Sequence, residues 1–309
     1  MNYEGLDAQT FNNMFVEKLD TVEGLNKTAA AGAAFVRSKI RELGFMRRIL
    51  PPESVTRADL QRSTNHDTLI KIVDIEHGSK AMAVNFAGEA DERYIQGKRY
   101  ALPFFKIESE KFSKSEGELM SYDYPITKII EENSVKDIQR VEDEKGIEYA
   151  EAAISVTGKR LVSSETAVNR KELTGLFKMI DYDEGAVGTV LMNTVDYDDW
   201  MVQPATEIGS QLATEITVGG YKYQTILNRK LVVTNKHTIV LPGEIWAFAD
   251  PAYLGNFFIL NDMKFWIKKE ADMVFWKTWE YISEGFGNIK FIAKLELDVP
   301  SPIPSGGSY

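Results

Sequence analysis

There is no cysteine among the 309 residues, so disulfides, thiolate nucleophiles and thiolate metal sites are excluded. That absence leaves the compartment open. Histidine is scarce as well. His66, His77 and His237 sit at no recognised ligand spacing and read as loop or surface residues. The phosphate-cradling pattern G-x-x-x-x-G-K-[ST], the dinucleotide pattern G-x-G-x-x-G after a strand, H-E-x-x-H and G-x-S-x-G are all missing. No pair of residues reads as an acid and a base set apart by their surroundings. Positive charge is in deficit, with 36 Lys+Arg against 46 Asp+Glu and a net charge of −10. A nucleic-acid-binding surface built on counterion release needs a basic face, which this balance argues against. Long hydrophobic runs are missing too. The most apolar stretch, Ile239 to Ile267, is broken by Glu244, Asp250, Asn261 and Asp262, so no membrane span is expected. The start MNYEGLDAQTF has no basic region followed by an apolar core, so no signal peptide is expected and the chain reads as a soluble protein made in the cytoplasm.

What remains is the composition of an ordinary globular protein, long enough for one large domain or two smaller ones. Its organising stretch is Ser134 to Ile154. Val135, Ile138 and Val141, then Ile147, Ala150 and Ile154, form an apolar stripe at helical spacing. Ser134 and Asp137 have the S-x-x-D spacing of a capping box, which predicts the helix start. Arg140, Glu142, Asp143, Glu144, Glu148 and Glu151 are expected on the solvated arc, and Gly146 reads as a weak point costing roughly 1 kcal/mol relative to Ala.

Before that helix, Ala29 to Leu50 carries Val36, Ile40, Leu43 and Leu50 at helical spacings, ended by Pro51-Pro52. Arg37, Lys39, Arg41, Arg47 and Arg48 make it basic within an acidic chain. It is either a solvated face or an arm that docks on an acidic neighbour. Leu69–Ile75 and Ala81–Phe86 read as strands, and Ala101 to Glu108 as a returning strand after the polar GEADERYIQGKRY. This excursion has too little apolar content for a core of its own. It is either a long surface hairpin or a segment lying on another copy.

After the long helix the spacing predicts a helix over Ser164–Ile180 with Leu173, Leu176 and Ile180 on one face. Strands follow at Val187–Met192, Lys230–Thr234, Thr238–Leu241, Ile245–Phe248, Asn256–Leu260 and Phe265–Lys268, with a turn at Val218–Tyr221. MVFWKTWEYI and IKFIAKLEL read as two long strands of one hairpin joined by SEGFGN. In the second, Phe291, Ala293, Leu295 and Leu297 are expected inside and Lys290, Lys294 and Glu296 outside. Two acidic clusters, Asp181/Asp183/Glu184 and Asp196/Asp198/Asp199, could attract calcium, but neither matches a calcium loop. Asp196 and Asp198 stand where a helix starts after Thr194, which is reason enough for their charge. Trp246, Phe248, Phe257, Phe258, Phe265, Trp266, Phe275, Trp276 and Trp279 are dense enough for a stacking platform, yet on strand patterns in an acidic chain they read as core.

The order of elements, with the stretches FVRSKIRELGFMRRILPP, VLMNTVDYDDW and GYKYQTILNRKLVVTNK running into LPGEIWAFADPAYLG, resembles the major capsid proteins of tailed bacteriophages with the Hong Kong 97 capsid fold. The resemblance covers nearly the whole chain and rests on diffuse motifs. It implies an α+β chain divided into an N-terminal arm (1–68), an E-loop with flanking strands (69–124), a peripheral domain with a spine helix (125–160 plus 269–298), an axial domain (161–268) and a flexible tail (299–309). It implies self-assembly through hexamers and pentamers into an icosahedral shell. That shell would enclose double-stranded DNA without sequence-specific binding, with no enzymatic activity, no cofactor and no membrane. Scaffolding, portal and decoration proteins are the expected partners, in a virion assembled in the host bacterial cytoplasm. The short stretch before residue 70 suggests a separate scaffolding protein or an already processed chain. Arg37, Arg41, Arg47, Arg48, Lys80, Arg93, Tyr94, Lys98 and Arg99 become the implied contacts between subunits. Lys80 and Lys98 lie where some relatives cross-link, but nothing identifies an acceptor for them. An encapsulin-like nanocompartment that packages cargo protein is the alternative within the same fold.

Overall fold

The computed structural model describes residues 44–62, 68–75, 81–86, 88–89, 92, 94, 97–121, 126–202 and 225–299. In chain order these form α1 (Met46–Ile49), β1 (Pro52–Ser54), β2 (Gln61–Arg62), β3 (Leu69–Ile75), β4 (Lys98–Pro103), β5 (Phe105–Glu108) and β6 (Phe112–Ser115). Next come α2 (Glu116–Ser121), α3 (Ile126–Thr157), β7 (Arg160–Val162), α4 (Arg170–Asp181), β8 (Val187–Asn193) and α5 (Thr194–Val202). The last third holds β9 (Thr225–Ile226), β10 (Arg229–Thr234), β11 (Glu244–Ala249), α6 (Pro251–Leu254), β12 (Gly255–Glu270), β13 (Met273–Phe286) and β14 (Ile292–Glu296). The class is α+β. None of the described helices is long and apolar enough to cross a membrane.

Three sheets organise these strands. One has the order β1-β12-β13-β5, with β6 also on β13; a second runs β7-β14-β11-β8-β10-β9; a third is β2-β3-β4. The first is dominated by the hairpin β12–β13, sixteen and fourteen residues long. At ~3.4 Å per residue its arms extend about 50 Å. They turn at Ala271 and Asp272, with Ala271 in the left-handed region (φ 54).

α3 is 32 residues, about 48 Å at ~1.5 Å per residue. It begins eight residues before the expected cap. Ser134 is fully buried inside the helix and its hydroxyl caps nothing. Ile126, Ile129 and Ile130 continue the helical spacing upstream, so the hydrogen-bond ladder runs through a local cap signal. The buried face is Ile138, Gln139, Glu142, Asp143, Ile147, Ala150, Ala153 and Ile154. Glu142 and Asp143 therefore do not lie on the solvated arc, and Val141 is exposed rather than part of the stripe.

α3 packs on β13, and both large sheets meet it through one core that includes Phe45, Met46, Ile49, Leu50, Trp246, Phe248, Phe257, Ile282 and Ile292. Gly146 is no weak point. A Cβ there would stand 2.5–2.6 Å from the Met46 side chain, so the missing methyl is the notch that admits α1. A second core lies between α4 and β8, β11 and β14, with Leu173, Leu176 and Ile180 buried as expected. α4 starts at Arg170, not Ser164, because Asn169 caps it by accepting from the Glu172 N–H at 2.9 Å.

Several expectations change. Gly44 and Phe45 are not helical, so the expected helix Ala29–Leu50 does not run unbroken; among its described residues only Met46–Ile49 are helical, and residues 29–43 lie outside. Ala81–Phe86 forms no strand, having no ladder partner among the described residues. Thr238–Leu241 is a turn instead, closed by Ile239 and Val240 N–H groups donating to the Lys236 carbonyl. Asn256–Leu260 and Phe265–Lys268 are parts of one strand, β12, and it is β12 that pairs with β13. The final expected hairpin therefore does not exist. Ser283–Phe286 continue β13 against Gly255–Phe258, and Ile289–Phe291 form a 3-10 turn that carries the chain to β14 in the other sheet. Lys294 on β14 is buried, not wet. The Val218–Tyr221 turn and residues 300–309 of the tail lie outside the described residues.

Candidate functional site

Two places stand out chemically: a charge centre buried where α1 meets α3 and β13, and an exposed excursion around β3 and β4. In the first, the Arg47 guanidinium forks onto Glu142, Nε 2.9 Å from Oε2 and Nη2 2.6 Å from Oε1, and Nη2 also donates to Glu280 Oε2 at 3.0 Å. Side-chain exposure of Arg47, Glu142 and Glu280 is 5%, 0% and 1%, so the bonds form out of water. The planar fork suits two carboxylates at once, which a lysine would not. Burial alone would lower the pKa of Arg47, but Glu142 and Glu280 outweigh it and raise it.

Asp143 accepts from the Met46 N–H at 3.0 Å and pairs with Lys236 at the turn after β10. Burial pushes its carboxyl up to about 6, against the pull of Lys236. Glu280 is held well above the carboxylate range by burial and then by Glu142. Burial acts the same way on Glu284, reinforced by Glu142 and Asp143. Among the described residues neither oxygen of Glu284 has a hydrogen-bond partner, and Glu280 Oε1 has none. Four carboxyl groups thus surround two cations.

A second network holds Lys294, 2.8 Å from Glu244, 2.9 Å from Glu296 and 3.2 Å from Glu151, with its ammonium 4.9 Å from the centre of the Trp246 ring. Three carboxylates explain why a lysine is tolerated inside. Of the two acidic clusters, Asp183 pairs with Lys159, and Asp196 is buried at the start of α5. Asp196 Oδ1 accepts the Gly243 N–H at 2.8 Å, and burial raises its carboxyl to about 6. Among the described residues no group of three or more His, Asp or Glu is placed to hold a metal. Trp246, Phe248, Phe257, Phe258, Phe265 and Trp276 are core, as expected.

The excursion is anchored at its base by Leu102, Phe104 and Phe258, with Leu69, Val73 and Tyr100 packed on them. Farther out, Met82, Val84, Phe86 and Tyr94 are exposed, Phe86 and Tyr94 almost fully. Lys98 is exposed, and Arg99 pairs with Asp74 at 2.7 Å on the open surface. Among the described residues, Arg47 and Arg48 therefore lie on a different element from Tyr94, Lys98 and Arg99. Arg47 is neutralised within the chain, and Arg48 is exposed beside it. Arg37, Arg41, Lys80 and Arg93 lie outside the described residues. The sequence reading missed Glu280 and Glu284 altogether. Alternation in β13 signals Glu280, which falls on the same face as Trp276, Thr278 and Ile282.

No protein-family model and no curated protein matches this sequence. Solved structures do. The cyanophage P-SCSP1u capsid structure superposes with a TM-score of 0.54 at 10% identity, over 82% of this chain and 87% of that one. The chain has the fold of phage capsid structures. A Microbacterium phage Oxtober96 structure matches with a TM-score of 0.54 at 14% identity over 80% and 89% of the two chains. A virus-like particle from Pyrococcus furiosus gives 0.54 at 15% identity, over 86% of this chain and 98% of that one.

Proposed function

We propose that this chain is the repeating subunit of an icosahedral shell, assembled through hexamers and pentamers, that encloses a phage double-stranded DNA genome. The observation that carries this reading is the shared fold with phage capsid structures over most of both chains. The excursion supports it. Met82, Val84, Phe86 and Tyr94 form exposed apolar surface of the kind a solitary subunit has little reason to keep and a neighbouring copy would cover. In this reading residues 1–68 are the N-terminal arm, 69–124 the E-loop region, 125–160 with 269–298 the peripheral domain built on α3 and β12–β13, and 161–268 the axial domain. Tyr94, Lys98 and Arg99, together with Arg37, Arg41, Arg48, Lys80 and Arg93, contact adjacent copies, while Arg47 acts inside the subunit.

The role is structural, without catalysis or cofactor. Scaffolding, portal and decoration proteins are its further partners, and assembly takes place in the bacterial cytoplasm. Sedimentation of the purified chain with nuclease treatment tests the proposal. Fast-sedimenting particles that protect DNA when made beside their genomic neighbours are expected; a slow species under every salt and scaffold condition would refute it. The likeness to the Pyrococcus furiosus virus-like particle, over nearly all of that chain, favours a second reading, an encapsulin-like shell around protein cargo. Particles holding a protein and no DNA would decide for it.

A further inference from the structure

We infer that the seat of the Phe45–Leu50 segment on α3 and β13 is a proton-held latch: protons shared by the buried carboxyl groups keep the segment closed, and their loss releases it. The geometry sets the charge balance. Glu142 and Asp143 enter from α3, Glu280 and Glu284 from β13, Arg47 from the segment itself and Lys236 from the turn after β10. Lys145, Glu148 and Tyr149 stand on the next turns of α3, with Lys145 and Glu148 paired to each other at 2.6 Å. Ionising all four inner carboxyls would place four negative charges against two positive ones where water is excluded. Glu284, only 6% exposed, has no hydrogen-bond partner on either oxygen among the described residues, so its anion has only the more distant charges of Lys145 and Arg47 to offset burial. Two protons on Glu280 and Glu284 restore neutrality.

The part that yields is the segment. α3 and β13 are each held along their lengths by other contacts, whereas α1 is a single turn of four residues. Its seat includes the Met46 side chain in the notch at Gly146, the Met46 N–H on Asp143, the Arg47 fork, the Lys230 ammonium donating to the Arg48 carbonyl at 2.6 Å, and the buried side chains of Phe45, Ile49 and Leu50. Lifting it admits water to the carboxylates. Burial raises Asp143, Glu280 and Glu284 above their ordinary range. The closed state therefore binds more protons than the open one, and its stability is present in acid and lost as pH rises through the raised values. The inference does not depend on the shell reading.

Hydrogen exchange of the full chain, read by mass spectrometry from about pH 5 to about pH 9, tests it. Exchange in peptides covering 44–52 is measured against peptides covering β8, which corrects for the intrinsic pH dependence. The wild-type opening ratio is expected to rise with pH, by up to about tenfold per unit for each proton released. Glu284→Gln, which copies the protonated acid, should remove one proton from that slope and open less than wild type at alkaline pH. Glu284→Met should do the same and serves if the amide folds poorly. A wild-type ratio that is flat with pH overturns the latch. So does a variant whose protection shifts equally at every pH, which marks a packing role only.

Discussion

Arg47 donates to Glu280 at 3.0 Å across 233 positions of sequence, and the same guanidinium grips Glu142 on the long helix. One side chain thereby ties the N-terminal segment, the helix and the long hairpin together. Replacing Arg47 with Met leaves Glu142 and Glu280 facing each other with no cation. A loss of about 3–5 kcal/mol is expected, measured by denaturant unfolding. The triple variant Arg47→Met, Glu142→Gln, Glu280→Gln should recover most of it, since no buried charge is then left unpaired. A single variant as stable as wild type would show that the centre carries little.

At Gly146 two effects oppose each other. Alanine improves helix propensity by about 1 kcal/mol, but its methyl would overlap Met46, whose nearest atom lies 2.5 Å from the Cβ position. The clash should win, giving a net loss of roughly 1–2 kcal/mol. In a double-mutant cycle with Met46→Ala the two changes should be strongly non-additive. Additive losses would mean that Met46 does not occupy the notch.

Much of the fold was legible and much of the charge centre was not, for identifiable reasons. Strands β8, β10 and β11 and the apolar face of α4 follow from spacing alone. The start of α3 does not, because Ser134 and Asp137 mimic a cap and only the whole ladder shows that the helix passes through them. By their charge alone Glu142 and Asp143 belong in water. Yet Glu142 lies four residues from Ile138 and Asp143 four from Gln139, so helical spacing puts both on the buried face. Pairing of β13 with β12 rather than with residues 289–297 depends on where the chain turns. SEGFGN carries stronger turn residues than Ala271-Asp272, and the longer antiparallel register prevails over them.

Asp196 gives a pH prediction away from that centre. Burial lifts it to about 6 in the folded chain, against an ordinary aspartate value near ~3.9 in the unfolded one. Its folded pKa is raised, so its contribution favours the folded state in acid and is lost as pH climbs from about 4 to about 6. Asp196→Asn keeps an acceptor for the Gly243 N–H and does not titrate. Relative to this variant, wild type should lose on the order of 2 kcal/mol across that interval, after allowance for solvent screening. Parallel stability curves for the two proteins would exclude a raised carboxyl there.

On the excursion, Phe86→Ser and Tyr94→Ser should leave the unfolding midpoint of the subunit almost unchanged, within about 0.5 kcal/mol, because both side chains are exposed. Particle formation should fall sharply if neighbouring copies cover them. Intact particles from both variants would remove this surface from the assembly contacts.

Electron microscopy of the purified protein, alone and co-expressed with its genomic neighbours, tests the central claim most directly. Closed polyhedral shells, or rings of five and six subunits, are the result the shell reading requires. A monomer or dimer that forms neither under any condition of salt or scaffold would contradict it.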